Sequence, residues 1–348
     1  MIENLIAAFH MTATLEVFFA VCLGSFAGII FGAIPGLTYS MALALMLPFT
    51  FTMEPATGIS LLLATYIGGM TGGSISAILI GIPGTPSAAA TVADGYALAK
   101  KGEASIALGA AVIVSTIGGL ISLIIMILLV DFISKFAIKF GPAEIFMLVL
   151  FGFSTICGLA ERSLFRGLVA GVLGLMLMTI GIDELEGVQR FTFGNVQMLQ
   201  GVNLLVAMIG LFAVPHILEV FLQRINKEDK VNFDVGEVKT TLPGFQFIKK
   251  YFNLVLRCTG LGTSIGAIPG SGGPIAAFLA YSHAKNSEKD PKEKDTFGKG
   301  NIAGVVAPEA ANNAVTGGAM VPLLSLGIPG DPATAIILGG LLIHGIVP

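Results

Sequence analysis

The chain has 348 residues, of which 54% are hydrophobic and only 12% charged, with a formal net charge of −3. A soluble domain carries about 25% charged residues, and the mean hydropathy here is +0.87, so a soluble globular protein is excluded. The apolar stretches are continuous rather than alternating, which points away from a β-barrel and toward an all-α, polytopic integral membrane protein.

In chain order, residues 17–53 carry no charge. A bilayer-spanning helix needs about 20 apolar residues, so one helix is expected over 16–31. A break follows at Pro35-Gly36, then a second segment over 40–52. Residues 55–93 are also uncharged, but Gly68-Gly69, Gly72-Gly73 and Pro83/Pro86 predict short or half helices there rather than one span. A small-residue segment over 88–101 ends in Lys100-Lys101-Gly102, with Asp94-Gly95-Tyr96 read as an interfacial turn. Residues 104–130 are uncharged and long enough to predict a span, and Lys135 and Lys139 among Phe and Ile predict an interfacial amphipathic turn after it. Further spans are expected over 145–160, 167–182 and 204–221. The run 251–281 is broken at Pro269-Gly270-Ser271-Gly272-Gly273-Pro274. A charged loop follows over 285–299, and the chain is apolar again from Asn301.

Basic residues mark cytoplasmic loops. The loop 224–250 is therefore placed inside and the acidic loop 183–190 outside; Arg162/Arg166 and Lys100/Lys101 agree, and Lys135/Lys139 do not. Glu3 and the lack of a basic cluster before the first apolar run argue against a cleavable signal peptide.

The helix breaks recur. Gly32-Ala33-Ile34-Pro35-Gly36 precedes Gly81-Ile82-Pro83-Gly84-Thr85-Pro86, and Gly266-Ala267-Ile268-Pro269-Gly270 precedes Gly327-Ile328-Pro329-Gly330-Asp331-Pro332. A Thr-Gly-Gly triplet stands before the second break of each pair, at Thr71 and at Thr316. Duplicated halves with broken helices are typical of secondary transporters. A broken helix frees N–H and C=O groups, and in a membrane it survives only where it lines a cavity or is buried in protein. The expected architecture is a helical bundle of two repeated halves of opposite topology with broken or re-entrant helices. The first repeat covers 1–222, a charged cytoplasmic linker 223–250, and the second repeat 251–348.

The chemistry is expected at the breaks. Half-helix N-termini offer N–H groups to an anion, and no Lys or Arg stands beside any break. The candidate substrate-binding residues are Pro35, Gly36, Thr38, Gly84, Thr85, Ser87, Gly270, Ser271, Gly272, Asn312, Asn313 and Gly330. Glu309, Asn312, Asn313 and Thr316 fall at i, i+3, i+4 and i+7, on one helix face, with Glu309 placed near a helix start by Pro308. Glu309, Thr316 and Asp331 are the candidate coupling-ion residues, since an ionisable group at membrane depth is a functional candidate. Asp331 has a second reading as a helix cap before Pro332. Packing alone could also account for the glycines.

Other chemistry has little support. Cys22, Cys157 and Cys258 form no CxxC pair, the four histidines are scattered, and no Walker A sequence exists. Gly72-Gly73-Ser74-Ile75-Ser76 misses the GxSxG pattern at its last residue. Neither an enzyme, a metal site, a cofactor nor nucleic-acid binding is expected.

Several long patterns are also similar to a known family. They are Gly32-Ala33-Ile34-Pro35-Gly36-Leu37-Thr38, the run from Gly72 through Pro86 to Asp94-Gly95-Tyr96 and Lys101-Gly102, then Phe297-Gly298-Lys299-Gly300, Pro308-Glu309-Ala310-Ala311-Asn312-Asn313-Ala314 and Leu326-Gly327-Ile328-Pro329-Gly330. They resemble the large membrane subunit of the tripartite tricarboxylate transporters. The resemblance implies a multi-pass protein of the bacterial inner membrane. It would be a secondary transporter of citrate-like or other carboxylates, coupled to Na⁺ or H⁺. Its implied partners are a periplasmic solute-binding protein and a small four-helix membrane subunit. Family members run longer, so the second repeat is expected to be truncated here. An uncoupled anion channel and a membrane scaffold are the alternatives.

Overall fold

The computed structural model describes residues 2–137, 164–182, 188–202, 243–269 and 272–348, together with 141, 143, 144, 146, 147, 150, 214 and 218. The spans expected over 145–160 and 204–221, and most of the loop 224–250, lie outside the described residues.

The described chain is helical apart from a two-residue antiparallel pairing of Gly181–Ile182 with Gln189–Arg190. Helix α1 is Ile2–Thr12, α2 Leu15–Ala33, α3 Tyr39–Thr50, α4 Pro55–Leu79, α5 Ala89–Lys100 and α6 Ala104–Ala137. Helix α7 is Leu164–Met178, α8 Phe245–Gly266, α9 Gly272–Ser287, α10 Pro291–Asp295, α11 Ala303–Leu326 and α12 Pro332–Ile343. Three described helices are long and apolar enough to cross a membrane: α2, α4 and the 104–135 stretch of α6. The protein is a helical membrane protein.

Each expected break is followed by a short helix. Helices α3, α5 and α12 have 12 residues each and α9 has 16. At about 1.5 Å per residue, a 12-residue helix falls well short of the ~30 Å hydrocarbon core. Caps explain where they start. Thr14 and Thr38 accept from the backbone three residues on, at Val17 and Met41. Asp331 forms a capping box with Thr334, with Pro332 at the first helical position. Gly36, Gly81 and Gly327 sit at positive φ (91°, 72° and 67°), where a side chain is strained.

Three expectations need correction. Residues 55–79 form one continuous helix, not half helices; the glycine pairs do not break α4 because a neighbouring backbone lies against each and closes the space a side chain would fill. Asp94 is not in an interfacial turn but inside α5 and fully buried. Glu309 is not near a helix start: α11 begins at Ala303, so Pro308 and Glu309 lie in its interior, beyond the turn where the helix dipole acts.

The core is built by two intimate helix pairs. In the first, a Cβ at Gly28 of α2 would collide with the Thr65 carbonyl of α4, and one at Gly32 with the Gly69 carbonyl. In the second, a Cβ at Gly262 of α8 would collide with the Ala311 carbonyl of α11, and one at Gly266 would stand 2.6 Å from the Val315 oxygen. Around them Leu43, Leu47, Leu62, Tyr66, Met70, Leu323, Ile336 and Ile337 form a buried cluster that joins α3, α4, α11 and α12.

Candidate functional site

The breaks touch one another in sequence. Gly84, in the second break, packs on the Gly32 carbonyl at the end of α2, and its N–H donates to the Gly73 carbonyl of α4 at 3.3 Å. Gly330, in the fourth break, packs the same way: its Cβ would stand 3.1 Å from the Gly266 carbonyl at the end of α8 and 2.9 Å from Ala319 of α11. The second and third breaks meet at Gly273, whose Cβ would lie 3.0 Å from Ser87 Cβ, 3.0 Å from Asn312 Oδ1 and 3.2 Å from Met70 Cε.

Of the residues expected to bind substrate, the structure brings Ser87 and Asn312 to this meeting place, with Thr85 bonded to Ser87; Gly84, next to Thr85, and Gly272, next to Gly273, are chain neighbours without a contact of their own there. Thr85 and Ser87 share a hydrogen bond between hydroxyls at 3.2 Å, and both are buried. Asn312 donates from Nδ2 to the Met70 carbonyl at 3.4 Å. Its Oδ1 is buried and has no partner among the described residues. Gly330 lies against α8 and α11, as described above. Pro35 and Gly36 are exposed and stay at the rim, and Thr38 serves as the cap of α3. Gly270 and Ser271 lie outside the described residues.

A second polar cluster surrounds Glu309, which is wholly buried. Thr91 of α5 donates to Oε1 at 2.6 Å and Ser115 of α6 to Oε2 at 3.4 Å. Ser74 of α4 lies beside it and donates to the Thr71 carbonyl at 2.8 Å. Asn313 donates from Nδ2 to Ser115 Oγ at 2.7 Å, and Thr71 donates to Asn313 Oδ1 at 3.0 Å. Thr316 is turned back onto its own helix, donating to the Asn313 carbonyl at 2.6 Å. Among the described residues the ion pairs are Lys135–Asp131 and Lys299–Asp295, both exposed; Glu309 has none. A cavity of about 350 Å³ opens between α4, α6 and α11, with Thr71, Ser115, Asn313 and Thr316 as polar lining among apolar side chains such as Leu120 and Met126.

Asp331 lies apart from Glu309. Its Oδ1 accepts from the Thr334 N–H and hydroxyl, each at 2.8 Å, and its Oδ2 accepts from Tyr66. Sequence reasoning missed Tyr66, Thr91 and Ser115, the partners of the two acids. Ser115 and Thr116 are polar in an otherwise apolar, uncharged stretch, which is a usable signal; nothing local tied Ser115 to Glu309, 194 positions away.

A third buried acid is structural. Asp94 Oδ1 accepts from the backbone N–H groups of Gly298, Gly300 and Asn301 at 2.8, 2.8 and 2.7 Å, and Oδ2 from the Tyr281 hydroxyl at 2.9 Å. Lys101 Nζ donates to the Lys299 carbonyl beside it at 2.7 Å. The Asp94-to-Gly102 and Phe297-to-Gly300 patterns are thus two sides of one joint.

The family model described as the tripartite tricarboxylate transporter TctA family matches residues 18–348. The chain is 36% identical over 351 residues to an uncharacterized 52.8 kDa protein in the TAR-I ttuC' 3' region of Agrobacterium vitis, covering all of this chain and 68% of that protein. It is 46% identical over 87 residues to an uncharacterized protein in the TAR-II ttuC' 3' region of the same organism, covering 25% of this chain and 35% of that one. No solved structure matches. A match across nearly the whole chain shows that the protein belongs to the tripartite tricarboxylate transporter TctA family, a family of transporter membrane components.

Proposed function

We propose that the protein is the large permease subunit of a cation-coupled secondary transporter for tricarboxylates or other small carboxylates, supplied by a periplasmic solute-binding protein. The small four-helix membrane subunit would be its partner in the bacterial inner membrane, where the chain crosses several times. The observation that carries this reading is the unbroken succession of contacts between breaks: Gly84 on Gly32, Gly273 on Ser87, Gly330 on Gly266.

The same contacts support the reading of two repeats, 1–222 and 251–348 joined by the linker 223–250. One shift in numbering relates them: Thr65, Gly69, Gly73 and Gly84 stand in the first half where Ala311, Val315, Ala319 and Gly330 stand in the second. We take the halves to be inverted, as broken-helix transporters commonly are.

In this reading the carboxylate binds where the second and third breaks meet, to the N–H groups that open α9 and to Thr85, Ser87 and Asn312, with Gly270 and Ser271 adjoining. Helix N-termini favour anions, and a buried Asn oxygen without a partner marks a place that a ligand or a rearrangement can satisfy. Glu309 serves the coupling cation, with Thr316 two turns further along the same helix; Asp331, occupied as a cap, ties the fourth break to α4.

The test is uptake of labelled citrate into vesicles that hold the complete transporter, with and without a Na⁺ or H⁺ gradient. Uphill uptake that collapses with the gradient supports the proposal. Downhill flux alone would make the protein a channel, and no flux a scaffold.

A further inference from the structure

Three acids are buried among the described residues: Asp94, Glu309 and Asp331. They differ in what surrounds them. Beside their hydroxyl partners, Asp94 Oδ1 accepts from three backbone N–H groups and Asp331 Oδ1 from one, and an N–H can only donate, so that oxygen is held as an acceptor. Glu309 is surrounded by hydroxyls, those of Thr91 and Ser115 with Ser74 beside them. A hydroxyl donates to a carboxylate or accepts from a carboxylic acid by turning about one bond. Glu309 can therefore gain or lose a proton without dismantling its site, and among the described residues an ionised acid there has no cation to offset the cost of burial.

Access points the same way. Ser115 lines the cavity between α4, α6 and α11; Glu309 does not. The 2.6 Å from Thr91 Oγ1 to Glu309 Oε1 is a direct hydrogen bond, which a metal ion bridging the two oxygens would have to break. A proton needs only a relay. Building on the assignment of Glu309 to the coupling cation, we propose that this cation is H⁺, and that it reaches Glu309 from the cavity through the Ser115 hydroxyl.

The step balances simply. Water in the cavity delivers a proton to Ser115 Oγ as the hydroxyl's own proton passes to Glu309 Oε2, so Ser115 ends unchanged and Glu309 becomes a neutral acid. Release is the reverse. On its other side Glu309 is tied to Thr91 in the first turn of α5, four residues beyond Ser87, so a change of protonation reaches the helix that follows the second break. The titratable groups on the elements packed around Glu309 are Tyr66 on α4, Asp94, Tyr96 and Lys100 on α5, Asp131 and Lys135 on α6, Lys249, Lys250, Tyr251, Arg257 and Cys258 on α8, and Tyr281, His283 and Lys285 on α9. None of them forms a hydrogen bond or ion pair with it.

Infrared spectroscopy of the full chain in liposomes tests this without a known substrate. The pH is cycled at fixed Na⁺, then Na⁺ is cycled at fixed pH. The expected result is a carboxylic-acid C=O band that appears on acidification, is lost in Glu309→Gln, shifts in Glu309→Asp and ignores Na⁺. In Ser115→Ala the band persists but exchanges deuterium more slowly. Unchanged exchange in Ser115→Ala overturns the route. A Glu309 signal that follows Na⁺ instead of pH overturns H⁺ while leaving cation coupling intact. A Glu309 insensitive to both ions removes the coupling role altogether.

Discussion

The hydroxyl of Tyr66 donates to Oδ2 of Asp331, 265 positions later in the chain, and both residues are buried. The bond fastens the cap of α12 to the middle of α4, and Tyr66 also lies against Tyr39 at the start of α3, with ring centroids 5.7 Å apart. Tyr66→Phe keeps the ring and removes the donor. A hydrogen bond to a charged group contributes about 1.5–3 kcal/mol, so the variant should unfold at a lower temperature than the parent in the same detergent. Asp331→Asn keeps an oxygen for capping and should lose less than Asp331→Ala, which leaves the Thr334 N–H without its acceptor. Equal stability of all three variants and the parent would remove this contact from the structural account.

Glycine substitutions separate packing from mere helix propensity. Gly266→Ala would force a methyl to within 2.6 Å of the Val315 carbonyl and 3.1 Å of the Ala319 nitrogen. Gly32→Ala meets the Gly69 carbonyl in the same manner. Both should be severely destabilised, since overpacking costs about 1–3 kcal/mol and a backbone neighbour yields less than a side chain. Gly260, on the same helix as Gly266, has nothing within 4 Å of its Cβ position. Gly260→Ala should be neutral or gain up to about 1 kcal/mol from helix propensity. Thermal unfolding of the three variants decides it, and equal effects at Gly260 and Gly266 would contradict the close pairing of α8 with α11.

The Asp94 joint predicts a graded series. Asp94→Ala leaves three backbone N–H groups without an acceptor, at about 1–3 kcal/mol each, and should not accumulate as folded protein. Asp94→Asn retains one oxygen and should be milder. Tyr281→Phe removes one donor only and should be mildest, while Lys101→Met loses a single exposed bond and should change little. Size-exclusion profiles and melting temperatures should follow that order; a stable Asp94→Ala protein would show that the 298–301 loop finds other acceptors.

How far the chain could be read beforehand follows from which forces are local. Breaks at Pro35-Gly36, Pro83-Gly84 and Pro329-Gly330 were legible because Pro and positive-φ Gly act on their own backbone. The continuity of α4 was not, because Gly68, Gly69, Gly72 and Gly73 read as helix breakers in isolation. Their role is set by the Ser25, Ile29 and Tyr39 backbones and by the Thr85 side chain lying against them. The i, i+3, i+4, i+7 spacing marked the polar face of α11 correctly but not its division. Glu309 and Asn313 face Ser115, whereas Asn312 faces Met70 and Gly273. Asp94 was misjudged for the same reason, since its three backbone donors come from a loop more than 200 positions away.

The position where the paired breaks differ, Thr85 against Asp331, gives the sharpest functional prediction. Thr85 fits against Gly73, shares a hydrogen bond with the Ser87 hydroxyl and makes no side-chain cap, so its polar group is not committed to its own helix start. Asp331 is spent on its own helix. Thr85→Asp would place an acid beside the proposed carboxylate site, where like charge repels, and should abolish uptake of labelled citrate. A buried acid without a partner can also prevent folding, so Thr85→Val supplies the second measurement: it keeps the shape, removes the hydroxyl, and should raise the KM for uptake while leaving the melting temperature within a few degrees. Thr85→Ser keeps the hydroxyl and should retain uptake. If a folded Thr85→Asp protein transports normally, or Thr85→Val leaves the KM unchanged, the substrate does not bind at the second break.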